Sequence, residues 1–154
     1  MKIALGSDHC GFEMKEALKP FLDKLGCEST DFGCFSKDPV DFPDITSAVC
    51  NSVRSKENTR GIIICGTGVG AAIAANKIPG IRAAVCHDIH SAHQCVEHDN
   101  VNIMCIGAQI IGPWLAENLI ESFINAKFSE EEQFRRRVDK LTALELKSAK
   151  EVQQ

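Results

Sequence analysis

Apolar and polar positions alternate in blocks along the chain. "KIALGS" (2–7), "GIIIC" (61–65), "IRAAVC" (81–86) and "VNIMCIG" (101–107) are short apolar runs, and "CESTDFG" (27–33) is a weaker one. Runs of this kind, rich in β-branched residues, predict strands buried on both faces. Between them, apolar residues recur at helical spacing over 12–25, from about Asp44 onward, and over 69–77, 88–98, 112–127 and about 129–150. Pro20 inside the first of these predicts a kink or a split. Five strands separated by helices predict an α/β fold, a parallel sheet covered by helices. No repeat or linker interrupts it, so residues 1–154 read as a single domain. The last helix is highly charged, with a narrow stripe of Phe134, Val138, Leu141 and Leu144. That stripe is too thin for a core helix, so this helix (about 129–150) is expected to lie across a partner subunit.

Composition works mainly by exclusion. The chain has 154 residues, 44% apolar and 25% charged, which suits one soluble globular domain. A net charge of −4 argues against a nucleic-acid or anionic-membrane binder, although Arg135, Arg136 and Arg137 form a local basic cluster. The N-terminal apolar run is too short for a signal peptide, and no segment approaches the ~20 apolar residues of a membrane span. A cytoplasmic protein is expected. The eight cysteines form no C-x-x-C pair, and several sit in apolar runs, so most read as free thiols in a reducing compartment.

Candidate chemistry starts at Cys65, the last residue of the "GIIIC" run. Gly66, Thr67, Gly68, Val69 and Gly70 follow as a turn into a helix. In open α/β sheets ligands collect at the carboxyl ends of strands, and a glycine-rich turn lets backbone N–H groups converge on an anion. Neither G-x-G-x-x-G nor G-K-[ST] is present, so no nucleotide motif is met. A cysteine beside a helix N-terminus is expected to have a lowered pKa. As a base, flanked by amides that hold an oxyanion, it would suit proton transfer between adjacent carbons of a sugar. The other reading of the same residues is a buried cysteine that only fills the core. Asp8 and His9 follow the first strand and His98 precedes the fifth. Both imidazoles reach one edge of the sheet if the helix carrying His98 ends there, and histidine is the usual proton carrier near neutral pH. "CHDIHSAH" sets His90 and His93 on one helical face, a metal-like spacing, but no carboxylate completes a site and none is assigned.

"KIALGSDHCGFEMKEAL", "DFG", "GIIICGTGVGAAIAANKIPGIRAAVC", "EHDNVN" and "RRRVDKL" together resemble the type B ribose-5-phosphate isomerase family, which includes galactose-6-phosphate isomerase subunits. The resemblance covers nearly the whole chain. It implies a Rossmann-like three-layer α/β/α sandwich with a five-stranded parallel sheet. It implies a homodimer or homotetramer with active sites between subunits, and isomerisation of a sugar phosphate, ribose 5-phosphate to ribulose 5-phosphate first, with no metal and no cofactor. Carried over by resemblance, Cys65 matches the base. Thr67, Asp8 and His98 match positions linked to opening the sugar ring, and Gly66 to Gly70 match the anion hole. Asp99 stands where Asn is usual and would touch the sugar. His9 and Arg137 match phosphate contacts.

The chain departs from the family's pattern at the phosphate end. Gln109 and Gln133 stand where arginines are common. Charge-assisted bonds to phosphate are about twice as strong as neutral ones, so either Arg135 or Arg136 replaces them or the substrate differs. Three functions therefore remain open: an isomerase of a pentose, tetrose or hexose phosphate, a non-catalytic sugar or anion binder, and a cysteine-nucleophile enzyme.

Overall fold

The computed structural model describes residues 1–151; residues 152–154, the end of the expected domain, lie outside the described residues. Its elements run β1 (Lys2–Ser7), α1 (Phe12–Lys24), β2 (Glu28–Asp31), α2 (Phe42–Arg54), β3 (Arg60–Cys65), α3 (Val69–Ala75), β4 (Ala83–Val85), α4 (Ile89–Asp99), β5 (Ile103–Gly107), α5 (Pro113–Asn125) and α6 (Glu132–Glu151). All strand pairings are parallel, and the sheet order is β2-β1-β3-β5-β4.

The strands that read apolar throughout are the central ones. β1, β3 and β5 are buried nearly end to end, because helices cover both faces. Alternate residues divide between two cores. Ile62, Ile64, Met104 and Ile106 meet α1, α4 and α5 through Leu18, Val96, Leu119 and Phe123. Ile63, Cys65, Ile103 and Cys105 meet α2 and α3 through Val49, Val53, Ala71 and Ala75. The result is the expected three-layer α/β/α sandwich. β2 and β4 are edge strands, shorter than the apolar patterns around them and only partly buried.

One reading is corrected. Pro20 neither splits nor ends α1; its ring is exposed, so the carbonyl that loses its helical donor faces water. Lys15, a cation by sequence, is fully buried on the inner face of α1. Its Nζ donates to both carboxylate oxygens of Asp31 and to the Cys34 carbonyl, each at 2.7 Å. This ties α1 to the chain leaving β2 and packs the loop from residue 33 against the end of β1, where Cys34 N–H donates to the Ser7 carbonyl. No helix among the described residues is long and apolar enough to cross a membrane.

Candidate active site

Strand order reverses between β1 and β3: β2 lies to one side of β1 and every later strand to the other. Such a switch point leaves a crevice at the carboxyl ends of the two strands. β1 delivers Ser7, Asp8 and His9 there, and β3 delivers Cys65 and the glycine loop. The two ends are joined by Asp8 N–H donating to the Ile64 carbonyl at 3.2 Å. Gly11 turns so close over β3 that a Cβ would overlap the Ile64 carbonyl, which explains the glycine in "SDHCG".

Each side chain at this edge has one part held and one part open. Asp8 is buried, and its Oδ1 accepts the Gly11 N–H at 3.0 Å while Oδ2 has no partner among the described residues. His9 accepts the Val40 N–H at Nδ1, 3.3 Å, so in the neutral ring Nε2 is left as the N–H donor. Cys65 is 8% exposed and belongs to the apolar cluster with Ala71, Ala72 and Cys105. The residue is therefore lodged in the α2–α3 core, with a small part of its surface open. By contrast, burial pushes the Cys50 thiol up to about 12 and raises Cys105 as well, so both behave as core filler.

The loop after Cys65 makes a tight turn into α3. Gly68 caps α3 at φ +80°, a left-handed conformation suited to glycine. Thr67 is exposed, and its Oγ1 accepts the Val69 N–H at 3.3 Å. The Gly70 and Ala71 amides, in the first turn of α3, have no acceptor among the described residues. Gly70 also sits against the Phe42 ring, 2.9 Å from where a Cβ would be, so packing favours a glycine there. Gln109 reaches back over this loop: its N–H donates to the Gly66 carbonyl at 3.0 Å, and its Oε1 would lie 3.1 Å from a Cβ on Gly66. Cys10 approaches the same point, with its Cβ 3.8 Å from that position. Desolvation first, then the nearby Asp8, Cys65 and Cys34, raise the Cys10 thiol. No local signal marks this place, because "SDHCG" does not show that the residue after His9 turns toward β3.

His98 and Asp99 are elsewhere. α4 runs from the end of β4 back to the start of β5, so both residues lie at the amino edge of the sheet. The Arg82 guanidinium, just before β4, donates to the Asp99 and Asn100 carbonyls at 3.1 and 2.8 Å. The six residues of β3 separate the two edges by roughly 17 Å at ~3.3 Å per residue. Within one chain His98 therefore does not share an edge with Asp8 and His9, contrary to the expectation from sequence. It forms a second cluster with α6. The Phe134 ring stacks on the His98 imidazole, centroids 4.0 Å apart and planes at 14°, and the Arg137 guanidinium carbon lies 5.6 Å from the Phe134 centroid. Gln133 donates to Glu131 at 2.7 Å, and Arg136 approaches Glu132 at 3.8 Å, both exposed. Arg136, expected as a replacement for a missing arginine, thus stays exposed within ion-pair distance of its own helix.

Two histidines of "CHDIHSAH" have contacts of their own. His87 Nε2 accepts the Gly107 N–H at 2.9 Å, and His93 lies 3.4 Å from Glu97. None of the eight cysteines is in a disulfide.

Comparison with known proteins agrees with the geometry. The family described as Ribose/Galactose Isomerase matches residues 3–141. A Listeria innocua protein named ribose-5-P isomerase B is 45% identical over 129 residues, 84% of this chain and 87% of its own length. A 4-deoxy-4-sulfo-D-erythrose isomerase of a Clostridium species is 37% identical over 131 residues, 84% of this chain and 82% of its own. The solved ribose-5-phosphate isomerase B of Clostridium thermocellum superposes with a TM-score of 0.93 at 42% identity, covering 96% of this chain and 99% of that one. A glycine loop at the β1–β3 switch point, an adjoining thiol and a match over residues 3–141 place this chain in the ribose/galactose isomerase family.

Proposed function

We propose that this chain is an aldose–ketose isomerase of a sugar phosphate, ribose 5-phosphate first, and that two copies build each active site. Cys65 is the base. In the aldose-to-ketose direction its thiolate takes the proton from C2, and the electron pair moves to the C1 oxygen as the enediolate forms. The thiol then returns its proton to C1, and the hydroxyl proton on O2 passes to O1. The amides beyond Gly66 hold the developing oxyanion. Asp8, through its open Oδ2, Thr67 and the partner subunit's His98 move the protons that open the sugar ring. The partner's Asp99 contacts the sugar. His9 Nε2–H, Gln109, and the partner's Arg137 and Gln133 receive the phosphate. No metal or cofactor is needed. Free thiols throughout suit a cytoplasmic setting.

The observation that carries this reading is Cys65 at the switch point, beside amides that have no acceptor among the described residues. The between-subunit site is supported by the opposite-edge placement of His98. It is also supported by exposed apolar residues on α3 (Val69, Ile73) and α6 (Leu141, Leu144). The test is turnover in deuterated water across tetrose, pentose and hexose phosphates. Solvent deuterium should appear at the reacting carbon of the preferred sugar, and Cys65→Ser should lose about 10³-fold in kcat. A Cys65→Ser enzyme of full activity, or no exchange with any sugar, refutes the reading.

A second reading concerns the anionic end of the substrate. Gln109 is neutral and lies on the glycine loop, and Gln133 is neutral beside Arg137, so few full positive charges meet the ligand's anion. A sulfonate carries one negative charge, whereas a phosphate monoester near neutral pH carries about −1.5 to −2. A 4-sulfo-tetrose therefore belongs in the same panel, and a kcat/KM above that of every phosphate would select it.

A further inference from the structure

His98 has no hydrogen bond to hold its ring. Neither nitrogen has such a partner among the described residues, and the Glu97 carboxylate stays 3.9 Å from Nε2. A proton-transfer group must nevertheless be held in place, since a misplacement of about 1 Å can cost about 10²-fold in rate. The ring against it is Phe134, stacked face to face at 4.0 Å and 14°. The same ring supports Arg137, whose guanidinium carbon is 5.6 Å from the Phe134 centroid, within cation–π range. Phe134 is itself well anchored. Ser129 N–H donates to the Glu97 carbonyl at 2.9 Å, one residue before His98, and this brings the start of α6 onto the last turn of α4. One turn further along α6, Val138 is buried.

We propose that Phe134 is the positioning residue of this half of the site, a single ring that sets the His98 imidazole and the Arg137 guanidinium together. Stacking suits the task. It restrains the imidazole through its face and uses neither ring nitrogen, so both stay available for proton movement, whereas a hydrogen-bonding orienter would occupy one of them. Because Arg137 rests on the same ring, loss of the ring disturbs proton transfer and anion binding at once. Truncation of an ordinary surface aromatic would not produce that pair of effects.

The inference rests on the isomerase reading above, and the experiment separates the two. Phe134→Leu and Phe134→Tyr are made in the full chain, each also in a His98→Asn background. kcat and KM are read by isomerisation and, for slow variants, by deuterium incorporation over hours. Phe134→Leu should lower kcat about tenfold and raise KM several-fold. Phe134→Tyr keeps the stacking face and should stay within about twofold of wild type. In the His98→Asn background Phe134→Leu should change kcat by less than about twofold, because the group it acts through is gone, while the KM effect persists. The proposal is overturned by an unchanged kcat in Phe134→Leu, by equal damage from Phe134→Tyr, or by the same tenfold loss without His98. Circular dichroism and native mass spectrometry report folding and assembly; if the Leu variant fails either, Phe134→Met is read in the same cycle. A wild-type chain with no isomerase activity would instead remove the reading beneath.

Discussion

Mixing two damaged chains tests the shared site directly. Cys65→Ser removes the proposed base at the carboxyl edge, and His98→Asn removes the imidazole at the amino edge. These edges are roughly 17 Å apart along β3 at ~3.3 Å per residue, and a hydrogen bond spans about 3 Å. One chain cannot bring both groups to one sugar. A two-fold dimer can, by taking Cys65 from one copy and His98 from the other. Each variant alone then has only damaged sites and should retain less than about 1% of wild-type kcat. When the two are unfolded together and refolded at equal amounts, half of the dimers are hybrids. Each hybrid has one site with both groups intact and one with neither, so the mixture should recover about a quarter of wild-type activity. Isomerisation is followed by ketose formation, and hybrids are counted by native mass spectrometry. Hybrids present in the expected proportion with activity still at the parental level would refute the between-subunit arrangement.

Other consequences follow from particular contacts. Lys15→Met keeps the volume of a fully buried side chain but breaks its bonds to Asp31 and Cys34; urea unfolding should show a loss of about 3 kcal/mol, and a loss below ~1 kcal/mol would mean that Lys19 suffices for Asp31. Burial pushes the Asp31 carboxyl up, but hydrogen bonds from Lys15, Lys19 and the Gly33 N–H outweigh it and hold the group below its usual value. Its contribution is therefore complete above an unfolded value of about 3.9 and is lost as pH falls through the lower folded value; Asp31→Asn should flatten that acid limb of the stability curve. Gln109→Arg adds a guanidinium over the glycine loop and should lower KM for phosphate-bearing sugars about tenfold, with less effect on a sulfonate; an unchanged preference would place the anion elsewhere. Gly11→Ala should destabilise strongly in thermal unfolding, because its Cβ meets the Ile64 carbonyl, which cannot move without disturbing β3.

The chain's apolar rhythm made most of the fold legible. Strands buried on both faces must be continuously apolar, and β1, β3 and β5 are. Edge strands need not be, so β2 and β4 read longer than they are. Pro20 read as a break because its sequence does not say that the carbonyl it orphans faces solvent. The burial of Lys15 is not legible along the chain, because a cation is costly to bury alone and its partners come from β2 and the loop after it. Cys10 and Phe134 acquired their places only when distant segments met: Cys10 beside Gly66, and Phe134 on His98.

By itself the sequence determined the local chemistry of this protein. A thiol ending an apolar strand, glycines that free the amides behind it, and an Asp-His pair after the first strand are all properties of neighbours along the chain. Only the tertiary structure decided which of these groups can act together. Helix α4 carries His98 and Asp99 a full strand length from Cys65, because a parallel sheet returns each connecting helix to the opposite edge before the next strand begins.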